Sequence, residues 1–117
     1  MQESTALRPD HGVDATGLEL ALRELAPEQV VAGRPRVGAV ELGSLKDCSV
    51  GVWEITPGVS TDVETDEWFV VLGGHAEVAF DDGTPPLQLR PGTVARLRAG
   101  SRTTWTVTQT LRKVYIV

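Results

Sequence analysis

From Pro35 onward the chain alternates apolar and polar residues, and glycine or proline interrupts the alternation at short intervals. A period of two sends successive side chains to opposite faces of an extended strand, so the pattern predicts strands separated by turns. Eight are expected, at residues 37–42, 48–55, 67–72, 75–80, 86–89, 93–97, 102–109 and 111–117. The breaks fall at Thr56-Pro57-Gly58, Gly73-Gly74, Asp81-Asp82-Gly83, Arg90-Pro91-Gly92 and Arg98-Ala99-Gly100. Each is read as a turn, and Asp81-Asp82-Gly83 is the strongest hairpin signal among them. Before Pro35, residues 1–16 are polar and without period, which predicts a flexible tail ahead of one domain over 17–117. Leu18, Leu22 and Leu25 have helical spacing, but Pro27 stops a helix; Pro27-Glu28-Gln29-Val30 predicts one short helical turn with proline leading. Many short strands at near-regular spacing argue an all-β sandwich, jelly roll or barrel with a short irregular or helical N-terminal segment.

Parity assigns the faces. Glu67, Phe69 and Val71 share one face of their strand, and Trp68, Val70 and Leu72 the other. Both faces are largely apolar, so this strand is expected to be covered on both sides. Ala76, Val78 and Phe80 form a core face opposite His75, Glu77 and Ala79. Thr103, Trp105 and Val107 oppose Thr104, Thr106 and Thr108, a threonine stripe that suits a solvated face.

Composition supports this picture and narrows the function. The 16 valines and 12 threonines are β-branched types that pack well on a pleated surface. The 117 residues suffice for one domain and one core. A net charge of −5, with 11 basic against 16 acidic residues, argues against a nucleic-acid partner. Apolar runs such as 68–72 are too short to cross a membrane as a helix. The polar start predicts no signal peptide, and the lone Cys48 has no internal disulfide partner; a cytoplasmic location is the expectation.

Several residue types carry possible chemistry. Asp62, Glu64, Asp66 and Glu67 place four carboxylates in six positions, either a hard-cation site or a solvated acidic loop. Glu67 shares a face with Phe69 and Val71, so it is expected to point inward. There it is either a general acid or base or the partner of Arg98, Arg102 or Lys113. Trp53, Phe69 and Trp105 are either core or the wall of a ligand pocket. Lys113, beside Arg112 and Tyr115, either meets an acidic ligand or Glu54 or is a surface charge. His75 is either a proton shuttle or a partly exposed strand residue. Cys48, with no base beside it, is expected to be a small buried hydrophobe. Gly73-Gly74 and Asp82-Gly83 lack the helix and lysine of a phosphate loop.

The order of the punctuation is itself informative. The run Gly51-Val52-Trp53-Glu54-Ile55-Thr56-Pro57-Gly58 is followed by Glu67-x-x-x-Val71-Leu72-x-Gly74 and Arg90-Pro91-Gly92. Then come Ala99-Gly100, Thr104-Trp105-x-Val107 and Arg112-Lys113-x-Tyr115. Over residues 24–117 this ordered set resembles the cupin superfamily, within it the small single-domain branch related to the ureidoglycine aminohydrolase cupin domain and the ethanolamine-utilisation cupins. The resemblance implies a β-jelly-roll barrel with an internal pocket, usually dimeric. It also implies a metal motif of two histidines spaced one apart, a glutamate before a glycine, and a further histidine after a later turn. Glu67 and Gly74 take the glutamate and glycine positions; the first two histidine positions fall at Ser60 and Asp62, or at Thr61 and Val63, and the last at Thr103. None of these is histidine.

The chain is therefore expected to bind a small molecule in its barrel without a metal, the pocket being lined by Trp53, Glu67, Phe69, Thr103, Trp105 and Lys113. No cofactor is expected; a divalent transition metal, if bound, would take Glu67 as a ligand. The two-sided apolar strands predict a homodimer. Two alternatives stand beside this reading: an enzyme resembling ureidoglycine aminohydrolase or an isomerase using Glu67 as base, and a non-catalytic regulatory or structural dimer.

Overall fold

A computed structural model describes residues 6–117, so the first five residues of the expected tail lie outside the described residues. Among the described residues nine strands form in chain order: β1 (Arg23–Glu24), β2 (Val30–Gly33), β3 (Arg36–Leu45), β4 (Cys48–Ile55), β5 (Gly58–Val63), β6 (Glu67–Phe80), β7 (Leu87–Leu89), β8 (Val94–Leu97) and β9 (Arg102–Ile116). The helical turn expected near Pro27 is a 3-10 turn, Pro27–Gln29, with proline in its first turn. Among the described residues no helix is long and apolar enough to cross a membrane.

All pairings are antiparallel, and the long strand β9 joins the sheet to itself. Its first half lies between β5 and β6, with Trp105 opposite Ser60 and Val78. Its second half lies between β4 and β6, with Lys113 opposite Trp53 and Val71. The sheet thereby curls into the all-β barrel expected from the sequence. The inner face buries Phe69, Val71, Val78, Leu97, Trp105 and Leu111, as the parity of β6 and β9 requires.

Two predicted breaks are corrected. Gly73-Gly74 is a bend inside one fourteen-residue strand rather than a turn between two. The β6–β9 register slips at Val71/Gly73, Gly73/His75 and His75/Ala76, which turns the strand while it stays paired. Gly74 has φ +90°, and a Cβ there would overlap the Thr110 carbonyl, so glycine is required by conformation and by space. The strands predicted at 102–109 and 111–117 are likewise one, β9. Strand β5 went unpredicted because its residues, Gly-Val-Ser-Thr-Asp-Val, are mostly small and polar. Strands β1 and β2 also lie in the stretch read as irregular.

The N-terminal segment packs on the outer face of β3 and β4. Arg112 donates from Nη1 to the Ala15 carbonyl (2.9 Å) and from Nε to Glu54 Oε1 (2.9 Å). Arg36 donates to the Leu22 carbonyl (2.9 Å). Gly38 lets the chain approach closely, since a Cβ there would overlap the Ala21 carbonyl. The outer face of β6 is not covered in this way. Trp68 is 51% exposed and Val94 62%, with Val70 and Ile116 also exposed beside them. The expectation that this strand is covered on both sides is not met within one chain. Cys48 is exposed rather than buried because it opens β4 beside the exposed turn residues Lys46 and Asp47.

Candidate functional site

The inner faces of β4, β5, β6 and β9 leave a cavity of about 220 Å³, also lined by Leu25 and Gln29 of the N-terminal segment. Its wall includes Trp53 from β4, Ser60 and Asp62 from β5, Glu64 from the loop after β5, Glu67 from β6, and Trp105, Lys113 and Tyr115 from β9. The parity of β9 sends Trp105, Lys113 and Tyr115 to one side, and the pairing of Lys113 with Trp53 puts a lysine against an indole.

The ammonium of Lys113 sits in an aromatic cage. Nζ lies 4.4 Å from the Trp53 ring centroid, 4.3 Å from Phe69 and 5.0 Å from Trp105. All three distances are within the range of cation–π attraction, which strengthens where water is excluded. Nζ is also 2.7 Å from Glu67 Oε2, and the two side chains are only 5% and 10% exposed. Glu67 Oε2 is buried with no hydrogen-bond donor aligned on it among the described residues, so the contact is an ion pair. Of the three partners open to Glu67 in the sequence, the fold selects Lys113. Glu54, the other candidate for Lys113, pairs with Arg112 on the outer face.

A second acid turns inward. Glu64 Oε2 accepts from Thr103 Oγ1 (2.6 Å) and Trp105 Nε1 (3.0 Å). Burial raises the Glu64 pKa above the ordinary carboxylate value; these hydrogen bonds and Lys113 oppose the rise, and nearby Asp62 adds to it. The loop that aims it is held by Glu64 N to Ser101 O and Gly100 N to Glu64 O, both 2.9 Å. Asp66 points elsewhere and accepts from Ala99 N (2.9 Å). The four carboxylates therefore diverge instead of enclosing one point. The Tyr115 phenol is raised by burial, then by the negative charges of Glu41 and Glu67.

Of the site residues expected from sequence, Trp53, Glu67, Trp105 and Lys113 line the cavity. Phe69 lies behind the wall as the floor under the ammonium, and Thr103 lies behind it as a donor to Glu64. His75 is exposed on the outside of the barrel, its Nδ1 2.8 Å from Gln109 Oε1. The inward role of Glu64 was not legible without β5. Counting alternate residues 60, 62 and 64 from that strand would have found it.

The residues do not fit the metal implied by the resemblance. At the histidine positions stand Ser60 and Asp62, or Thr61 and Val63, together with Thr103, and Glu67 is engaged by an ammonium at 2.7 Å. Among the described residues no three of His, Cys, Asp or Glu form a group able to hold an ion. A transition ion needs three or four converging donors, and here it would also sit beside a fixed positive charge.

The curled antiparallel sheet with a pocket on its inner face is the architecture of a cupin, and a family model carries the assignment. More narrowly, the chain belongs to the EutQ-like cupin domain family, whose model matches residues 42–115. Solved structures agree on the fold. A Salmonella typhimurium protein described as ethanolamine utilization protein Q is 20% identical, with a TM-score of 0.59 over 69% of this chain and 68% of that one. The Clostridium difficile EutQ protein is 19% identical, with a TM-score of 0.59 over 70% of this chain and 61% of its own. A cupin superfamily protein from Desulfitobacterium hafniense is 15% identical, with a TM-score of 0.64 over 100% and 97%. Comparison with curated protein sequences finds no match.

Proposed function

We propose that this cupin domain binds a small molecule inside its barrel without a transition metal. The observation that carries the reading is the cavity of about 220 Å³ whose wall contains two buried acids and a caged ammonium. Burying charge costs several kcal/mol per ion before pairing, whereas a barrel interior serving stability alone is filled more cheaply with apolar side chains. Three carboxylates (Asp62, Glu64, Glu67) against one ammonium make the pocket electronegative, which favours uncharged or cationic ligands over carboxylates. The aromatic walls suit an apolar or ring-bearing portion.

A thermal-shift screen of small uncharged, cationic and anionic metabolites tests the reading. A ligand at a hundred times its Kd is expected to stabilise the fold by about 2.7 kcal/mol. Trp105→Phe, which removes a donor to Glu64, is expected to weaken that response. Flat responses across all three charge classes would overturn the proposal. So would near-stoichiometric manganese, iron, nickel or zinc in protein purified without chelators.

We also propose that the protein is a homodimer, a reading supported by the apolar outer face of Trp68, Val70, Val94 and Ile116. A contiguous apolar face of this kind suits burial against a second copy.

A further inference from the structure

Charge inside the barrel does not balance. The ammonium of Lys113 is already compensated, by Glu67 at 2.7 Å and by the rings of Trp53, Phe69 and Trp105 at 4.3 to 5.0 Å. All four neighbours favour the protonated amine, so Lys113 and Glu67 form a closed pair with no net charge. Two other acids of the cavity wall, Glu64 and Asp62, have no lysine, arginine or histidine within ion-pairing distance among the described residues. Glu64 is the deeper of the two, at 8% exposure. Thr103 and Trp105 both donate to its Oε2, and Oε1 accepts no hydrogen bond from the described residues. The Lys113 charge offsets the burial of Glu64 less than either of those hydrogen bonds does. Ser60, on the same wall, is 5% exposed, and its hydroxyl has no hydrogen-bond partner among the described residues. Register brings these groups together: Ser60 lies opposite Trp105 and Asp62 opposite Thr103, the two residues that donate to Glu64. A buried carboxylate oxygen and a buried hydroxyl call for hydrogen-bond partners. Water supplies hydrogen bonds but no positive charge.

We infer that the cavity takes a small alkyl amine in its ammonium form, the nitrogen on Glu64, Ser60 and Asp62 and the chain against Leu25, Ile55 and Val117. The inference rests on the proposed metal-free binding cavity and narrows its ligand from uncharged or cationic to cationic. An alkyl ammonium carries three N–H donors and one positive charge. The donors serve Glu64 Oε1 and the Ser60 hydroxyl, and the charge is the one that Glu64 and Asp62 lack. Hydrogen bonds from an ammonium to a carboxylate are also the stronger kind. The aromatic cage, which by itself would attract an organic cation, is filled by Lys113, so the ligand's nitrogen goes to the carboxylates. Trp105 touches both places: its ring centroid lies 5.0 Å from Lys113 Nζ, and its Nε1–H donates to Glu64 at 3.0 Å. A carboxylate ligand would meet Glu64 and Asp62 as like charges. A cavity of about 220 Å³ has roughly seven times the volume of one water, which leaves room for a short chain.

Calorimetric titration of the full-length protein with pentylamine, pentanol and pentanoate tests this, since the three share an alkyl chain and differ in charge. Mildly alkaline pH keeps the amine protonated and favours ionised Glu64. Pentylamine is expected to bind at one site per chain, at least about tenfold more tightly than pentanol, the scale of one hydrogen bond to a charged group. Pentanoate is expected to bind more weakly than either. Glu64→Gln, which keeps an oxygen acceptor for Thr103 and Trp105, should bring pentylamine to within about threefold of pentanol. Asp47→Asn removes the same charge from the exposed turn between β3 and β4 and should leave pentylamine binding unchanged. Equal losses in the two variants would mean that the amine only follows the net negative charge of the chain, and would overturn the inference. So would pentanol or pentanoate binding wild type as tightly as pentylamine does, whether or not the variants fold. If none of the three binds while the metabolite screen still finds a ligand, the ammonium assignment fails and the metal-free binding reading stands; flat responses in both experiments remove both.

Discussion

The Lys113–Glu67 pair illustrates why a buried charge is expensive to disturb. Removing one partner strands the other in the barrel, so Lys113→Met and Glu67→Gln are each expected to cost about 3–5 kcal/mol. The double variant Lys113→Met/Glu67→Leu, with an apolar filling, is expected to recover most of that loss. Urea unfolding of the two singles and the double checks this; additive losses would mean that the two side chains do not act as a pair. Glu64 gives a pH signature of known sign. Its folded pKa lies above the ordinary 4.5, so the folded state binds its proton more tightly than the unfolded state. That contribution is fully present below the ordinary value and is lost as pH rises through the raised one. Glu64→Gln removes the titration and keeps an oxygen acceptor for Thr103 and Trp105. The stability of wild type relative to Glu64→Gln should therefore fall as pH increases through and above the ordinary carboxylate range; a difference independent of pH would refute this.

The decisive element is the bent pair β6 and β9, because their bends let one strand contribute to both sides of the cavity. Gly74 and Gly83 separate backbone conformation from crowding. Both have positive φ, +90° and +85°, but a Cβ at Gly83 meets nothing within 4 Å whereas one at Gly74 overlaps the Thr110 backbone. Gly83→Ala is expected to cost about 1–2 kcal/mol, the steric cost of a left-handed alanine. Gly74→Ala should cost clearly more, since backbone must also move. Equal losses in thermal unfolding would show that the bend does not depend on the close approach. The same comparison explains why the break at 73–74 was misread: glycine in a sequence signals permissive backbone, and whether the chain turns or only bends depends on what it pairs with afterwards. Strand β5 was missed for a different reason. Its inward Ser60 and Asp62 face a cavity rather than packed core, so the apolar alternation that marks a strand is absent where the site is built.

For the whole molecule, the N-terminal segment and the proposed dimer face divide the exterior between them. Arg112 and Arg36 hold residues 15–22 on one outer face, while the face of Trp68, Val70, Val94 and Ile116 stays exposed, with the Arg96 guanidinium 5.6 Å from the Trp68 ring centroid. If two copies bury this face, Trp68→Asp should shift the protein to monomer in equilibrium sedimentation with the fold retained by circular dichroism. A wild type that stays monomeric over the accessible concentration range would rule the interface out.

Local pattern alone determined that this chain is all-β, with sandwich, jelly roll and barrel all open, and that Glu67, Phe69, Trp105 and Val107 point inward, because side-chain parity is set by the backbone of one strand. The resemblance to the cupins, read against residue identity, showed that histidine is absent from the metal positions it implies. Only the tertiary structure decided which cation meets Glu67, which acid besides it turns inward, and which aromatic rings form a cage instead of plain core. Those facts depend on the register and bending of strands distant in sequence. A lysine reaches Glu67 here because β6 and β9 pair so that Lys113 stands opposite Val71, two steps along the same inner face from Phe69 and four from Glu67.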